Sequence, residues 1–116
     1  MYMRFVVKRP GKEIEFADVA PENVYDFLKE QVDGYLEHVS LSDEHTSTGA
    51  LGFYCNDEGK LLDLPYNFTL DYSQLYSGGR GVDDILGTVV FTSLLPSGDA
   101  GAVTDKQLAF ILKVVA

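Results

Sequence analysis

Between Ile85 and Thr92 the chain carries an almost unbroken apolar run, Ile85-Leu86-Gly87-Thr88-Val89-Val90-Phe91-Thr92. A β-branched segment of this kind has little polar face to offer water, so it predicts one strand at the centre of a sheet, covered on both sides. The rest of the chain must supply that cover. Of its 116 residues, 46% are apolar and 12% aromatic against 23% charged, enough for one core and one domain over 1–116 and too apolar for wholesale disorder.

The flanking segments predict the other elements. Met3 to Arg9 is β-branched and aromatic and stops at Pro10-Gly11, a strong turn pair, after which Lys12-Glu13-Ile14-Glu15-Phe16 alternates, so the two form a hairpin. From Pro21 the period lengthens. Val24, Phe27, Leu28 and Val32 recur at helical steps, with Pro21 in the first turn and Gly34 as the left-handed stop, giving a helix over about 21–33. Tyr35 to Leu41 predicts a strand, and Ser42 to Gly49 an exposed loop. Ala50 to Cys55 and Leu61 to Leu64 bracket Asn56-Asp57-Glu58-Gly59-Lys60 as a hairpin loop with Gly59 at positive φ. A short helix is expected over Phe68 to Tyr76, capped by Asn67 or Thr69, followed by a flexible Ser77 to Gly81. After a polar turn, Thr104-Asp105-Lys106-Gln107 forms a capping box ahead of a C-terminal helix. The expected class is α/β of the α+β type, a mixed and mostly antiparallel sheet of five to six strands with two main helices packed on it, in the order β-β-α-β-β-β-(α)-β-α.

Charge and cysteine content narrow the functions. With 9 Lys and Arg against 18 Asp and Glu, the net charge of −9 disfavours direct binding to nucleic acid or to an anionic membrane surface. No apolar stretch approaches the ~18 residues that span a bilayer and none has the signal-peptide pattern, so a cytoplasmic protein is expected. One cysteine, Cys55, excludes an internal disulfide and a thiolate zinc site.

Gly34-Tyr35-Leu36-Glu37, Tyr54-Cys55-Asn56-Asp57-Glu58-Gly59-Lys60-Leu61, Leu64-Pro65-Tyr66-Asn67 and Asp84-Ile85-Leu86-Gly87-Thr88-Val89-Val90 occur in that order. This succession resembles a small domain family of unknown function from bacteriophages, plasmids and their Gram-positive hosts, over about residues 1–110. The resemblance implies a mobile-element protein working in the host cytoplasm, and small phage proteins commonly blunt host defence. The Gly78 to Gly81 stretch and the Asp43 to Thr48 loop fall outside the family pattern.

Nothing here forms a nucleophile motif, so no catalytic residues, metal or cofactor are expected and the chain is read as a non-enzyme. Cys55 at a strand end is a small apolar packing residue, His38 and His45 lack a third ligand at useful spacing, and Asp57-Glu58 and Asp83-Asp84 are solvated turn pairs. Glu37 shares a strand face with Tyr35, Val39 and Leu41, so it needs a partner, either a ligand or Arg4 or Lys60. Asn67 is a helix cap or a ligand amide. Gly78, Gly79 and Arg80 beside Tyr66, Phe68, Tyr72 and Tyr76 combine an anion-binding backbone, a phosphate clamp and stacking surfaces. With Glu37 and Asn67 they make up a candidate site for a nucleotide-like ligand, and hence for sequestering a nucleotide-type immune signal. Glu22, Asp26, Glu30 and Asp33 instead line one stripe of the first helix at spacings of about 4.5 to 6 Å, near that of successive phosphates. That stripe makes the alternative an acidic inhibitor or DNA mimic whose partner is a basic host defence protein such as a nuclease. An accessory structural role is a further alternative, and homo-oligomerisation stays open.

Overall fold

In the computed structural model, which describes residues 1–116, the apolar run from Ile85 is two strands rather than one. β1 (Met3–Lys8) and β2 (Glu15–Val19) form the first hairpin, a 3-10 turn at Pro21–Asn23 leads into α1 (Val24–Val32), and β3 (Leu36–Ser42) and β4 (Leu51–Asn56) follow. Next come β5 (Tyr66–Asp71), a 3-10 turn at Tyr72–Gln74, β6 (Val82–Leu86), β7 (Val89–Leu94), the short β8 (Ala100–Gly101) and α2 (Asp105–Val114). The main sheet runs β2-β1-β7-β4-β3 with β8 also on β7, and every pairing in it is antiparallel. β5 and β6 form a separate antiparallel pair. No helix is long and apolar enough to cross a membrane.

β7 explains the layering. Val89, Val90, Phe91 and Thr92 are fully buried, as a central strand requires, and they alternate between two cores. Val89 and Phe91 face one with Val6, Phe53, Phe68, Leu70, Ile85, Ile111 and Val114, so the β5–β6 pair and α2 cover that side. Val90 faces the other with Phe5, Val7, Val19 and Leu28, covered by α1. The two helices therefore lie on opposite faces of the main sheet.

Several local expectations are corrected. Gly87 adopts φ +83 and breaks the run, turning the chain from the β5–β6 pair into the main sheet. Residues 68–71 continue a strand instead of starting a helix, because Phe68 and Leu70 alternate into the core while β6 supplies the partner. Asn67 and Thr69 therefore cap nothing, and only a 3-10 turn survives at Tyr72–Gln74. Leu61 to Leu64 is no strand. The segment after β4 winds into turns closed by Leu62 N–H to the Glu58 carbonyl at 2.9 Å and Leu64 N–H to the Gly59 carbonyl at 3.0 Å, with Leu61 and Leu62 exposed. The positive φ falls at Asp63, not Gly59, and the left-handed end of α1 at Asp33, not Gly34. β2 begins three residues later than the alternation at Lys12 suggests. The capping box on α2 forms as expected, with Gln107 N–H donating to Thr104 Oγ1 at 3.1 Å and Thr104 N–H to Gln107 Oε1 at 3.0 Å.

Candidate functional site

The apolar stripe of α1 sets the orientation of its charged one. Leu28 and Val32 are buried, with Val24 and Phe27 packed beside them, so Glu22, Asp26 and Glu30 point to solvent. None of these carboxylates forms an intramolecular ion pair; the chain's four pairs join Arg4 to Asp105, Arg9 to Glu15, His45 to Glu44 and Lys60 to Asp83. Lys29, which interrupts the stripe, lies 5.8 Å from the Tyr25 ring and 5.5 Å from that of Tyr35. Asp33 stands at the helix end as the left-handed cap, its carbonyl accepting from Asn56 Nδ2 at 3.3 Å. Asp26 and Glu30 border a groove of about 330 Å³ with Asp18, Asn23 and Tyr2, over Val19, Ala20 and Phe27. Asp18 joins it because β2 runs on to Val19, and the alternation pattern had ended that strand at Phe16.

The residues expected to bind a nucleotide separate into groups. Tyr72, Tyr76, Gly78, Gly79 and Arg80 come together in one turn, closed by Tyr72 N–H to the Gly81 carbonyl and Gly79 N–H to the Tyr76 carbonyl, each at 3.1 Å. Gly79 presses against the Tyr72 carbonyl so closely that a side chain there would collide. Its N–H is used within the turn, which removes one donor from any anion cradle. Arg80 is exposed and without an ion pair. Tyr72 and Tyr76 line a cleft of about 340 Å³ whose charged member is Asp43. Tyr66 lies at the far end of β5, about 16 Å away at the usual strand rise, with its hydroxyl 2.7 Å from Thr69 Oγ1. Phe68 is buried in the core.

Glu37 and Asn67 sit elsewhere again. Glu37 meets neither Arg4 nor Lys60, which bind Asp105 and Asp83; its carboxylate accepts from the Cys55 thiol at 3.6 Å. Asn67 is buried as a cross-link, donating from Nδ2 to the Lys8 and Gly87 carbonyls at 2.8 Å each and accepting from Lys8 Nζ at 2.9 Å. That contact spans 59 positions, so no local pattern signals it.

Glu37 and Cys55 border a third cleft, of about 330 Å³, with Asp57, Lys60, Asp83 and Asp84. Burial, then the Glu37 carboxylate and the charges of Asp57 and Asp83, push the Cys55 thiol up to about 12. It therefore stays protonated and unreactive at neutral pH. Iodoacetamide at about pH 8 should leave Cys55 unmodified in the folded chain and alkylate it on unfolding; fast modification of the native chain, read by mass, would contradict this. The native state keeps that proton between pH 9.0 and about 12 while the unfolded chain loses it, so this contribution to stability drains away as pH rises through that window. His38 packs edge-on to Tyr54 at 4.9 Å, and His45 sits in the exposed loop beside Glu44.

A family model described as a domain of unknown function (DUF3846) matches residues 3–116, and the chain belongs to that family. No curated protein and no solved structure matches it significantly.

Proposed function

We propose that the chain is a non-enzymatic binding protein that receives basic side chains of a protein partner in the groove between β2 and α1. The observation carrying this reading is the set of Asp18, Asp26 and Glu30, three carboxylates without an intramolecular cation around a floor of Val19 and Phe27. An arginine or lysine suits such a groove, its aliphatic stem on the floor and its charged head among the carboxylates. The net charge of −9 steers a basic partner toward the protein and repels nucleic acid. The resemblance to mobile-element domains supplies the setting: a counter-defence protein in the host cytoplasm that blocks a host nuclease or DNA-binding factor by occupying its nucleic-acid channel.

A second reading, sequestration of a nucleotide-type signal, draws support from the convergence of Tyr72, Tyr76, Gly78, Gly79 and the unpaired Arg80. Asp43 in the adjoining cleft and the overall negative field weigh against it.

One titration separates the two. Deca-arginine should perturb the amides of Val19, Phe27 and Glu30 in the wild-type NMR spectrum, with affinity falling steeply as salt rises. Asp18→Asn, Asp26→Asn and Glu30→Gln together should weaken that binding by about tenfold or more and flatten its salt dependence. Peptide bound equally well by the triple variant overturns the groove. Nucleotide binding lost on Arg80→Ala and untouched by the triple variant moves the function to the tyrosine turn.

A further inference from the structure

On the other side of the molecule a lysine is buried among neutral groups. Lys8, at the end of β1, is 8% exposed, and no carboxylate lies within ion-pairing distance of it. Its ammonium donates to the Arg9 carbonyl at 3.0 Å and to Asn67 Oδ1 at 2.9 Å. An ammonium has three N–H donors, so one has no acceptor in the protein. Asn67 is held rigidly, because both its N–H donors are taken by the Lys8 and Gly87 carbonyls and its oxygen is thereby aimed at Lys8. A buried cation satisfied only by neutral acceptors is costly, and groups of this kind in clefts concentrate at functional sites.

Lys8 and Asn67 both line a cleft of about 610 Å³ between the β1–β2 turn and the end of α2, within the range of small-molecule sites. Ile14, Leu112 and Val115 give the cleft an apolar wall, and Leu112 stays half exposed although it belongs to an otherwise amphipathic helix. Lys12 adds a second positive charge at the rim, and Glu13 a negative one. The combination selects among anions. A phosphate dianion or polyphosphate would meet Glu13 and leave the apolar wall uncovered, whereas a monoanion with an alkyl body would satisfy both parts.

We propose that this cleft binds a small amphiphilic carboxylate, whose acid head accepts the free N–H of Lys8 and whose alkyl portion lies on Ile14, Leu112 and Val115. The site lies apart from the acidic groove and stands whether or not that groove takes a protein partner.

The test is a titration of the isotope-labelled full chain with octanoate, with octanol and inorganic phosphate as the other probes. Octanoate should shift the Asn67 side-chain amide and the Leu112 and Val115 methyls saturably, and octanol should bind at least about tenfold more weakly, as loss of one charge-assisted hydrogen bond implies. Lys8→Met should cost about the same factor. Leu112→Asp, at a half-exposed position, should abolish binding by placing a charge against the alkyl portion of the ligand. Absence of saturable shifts with octanoate in the millimolar range overturns the proposal. Octanol binding as tightly as octanoate removes the role of Lys8, and phosphate competing on equal terms removes that of the apolar wall; either result overturns it as well.

Discussion

Asn67→Leu should lower the free energy of unfolding by about 3–5 kcal/mol, a large share of the roughly 6–17 kcal/mol expected for a domain of this length. Leucine shares the branched outline of asparagine, in a somewhat larger volume, and offers neither donor nor acceptor. The Lys8 and Gly87 carbonyls would each lose a buried donor, and the Lys8 ammonium one of its two acceptors. Each neutral group left unsatisfied costs about 1–3 kcal/mol, and a charged one more. Urea unfolding should show the midpoint falling at constant slope. Adding Lys8→Met to the variant should recover part of the loss, because the stranded charge goes with the lysine and the two sites share one network. A loss below about 1 kcal/mol would mean that water replaces the amide. Burial holds the Lys8 ammonium below the usual lysine value of 10.5, so between its own pKa and 10.5 the unfolded chain carries more protons on this group and its contribution to stability rises with pH, against the falling contribution of Cys55 above pH 9.0. Lys8→Met should erase that rise.

What could be read from the chain divides by range of interaction. The capping box at Thr104 and Gln107 and the apolar stripe of α1 are local and appear where their spacing puts them. The central strand was legible because Val89 to Thr92 have no polar face. Its break at Gly87 was not, since the residues on either side stay apolar while belonging to different sheets. The second half of β5 reads as the start of a helix because Asn67 resembles a cap in isolation, and only the Lys8 contact 59 positions away explains the burial of Asn67. Leu61 and Leu62 misled in the opposite sense, as apolar residues that remain at the surface. The same division holds for the sites. The carboxylate stripe follows from steps of three and four on one helix, and the tyrosine–arginine turn from a short segment. Asp18 enters the acidic groove only through the true end of β2, and Glu37 and Tyr66 leave the expected pocket because strand pairing carries them elsewhere.

Phe68→Ala tests whether the β5–β6 pair is part of the core or an appendage to it. The Phe68 ring lies 5.8 Å from that of Phe53 and 6.2 Å from that of Phe91, and these contacts join the small sheet to the main one. Truncation of a fully buried phenylalanine typically costs about 3–5 kcal/mol, through lost burial and the cavity left behind. The loss should be uneven. Phe53 and Phe91 still pack at 5.4 Å, and β7 keeps its partners β1 and β4, so the main sheet retains its own cohesion. Hydrogen exchange should show the amides of β5 and β6 losing protection well before those of β7. A uniform loss across both sheets would instead make the molecule one cooperative unit, in which the Lys8–Asn67 cross-link already ties the layers together. In that case Phe68→Ala and Asn67→Leu would weaken every amide alike, and the cleft beside Lys8 would be as rigid as the sheet it is built on.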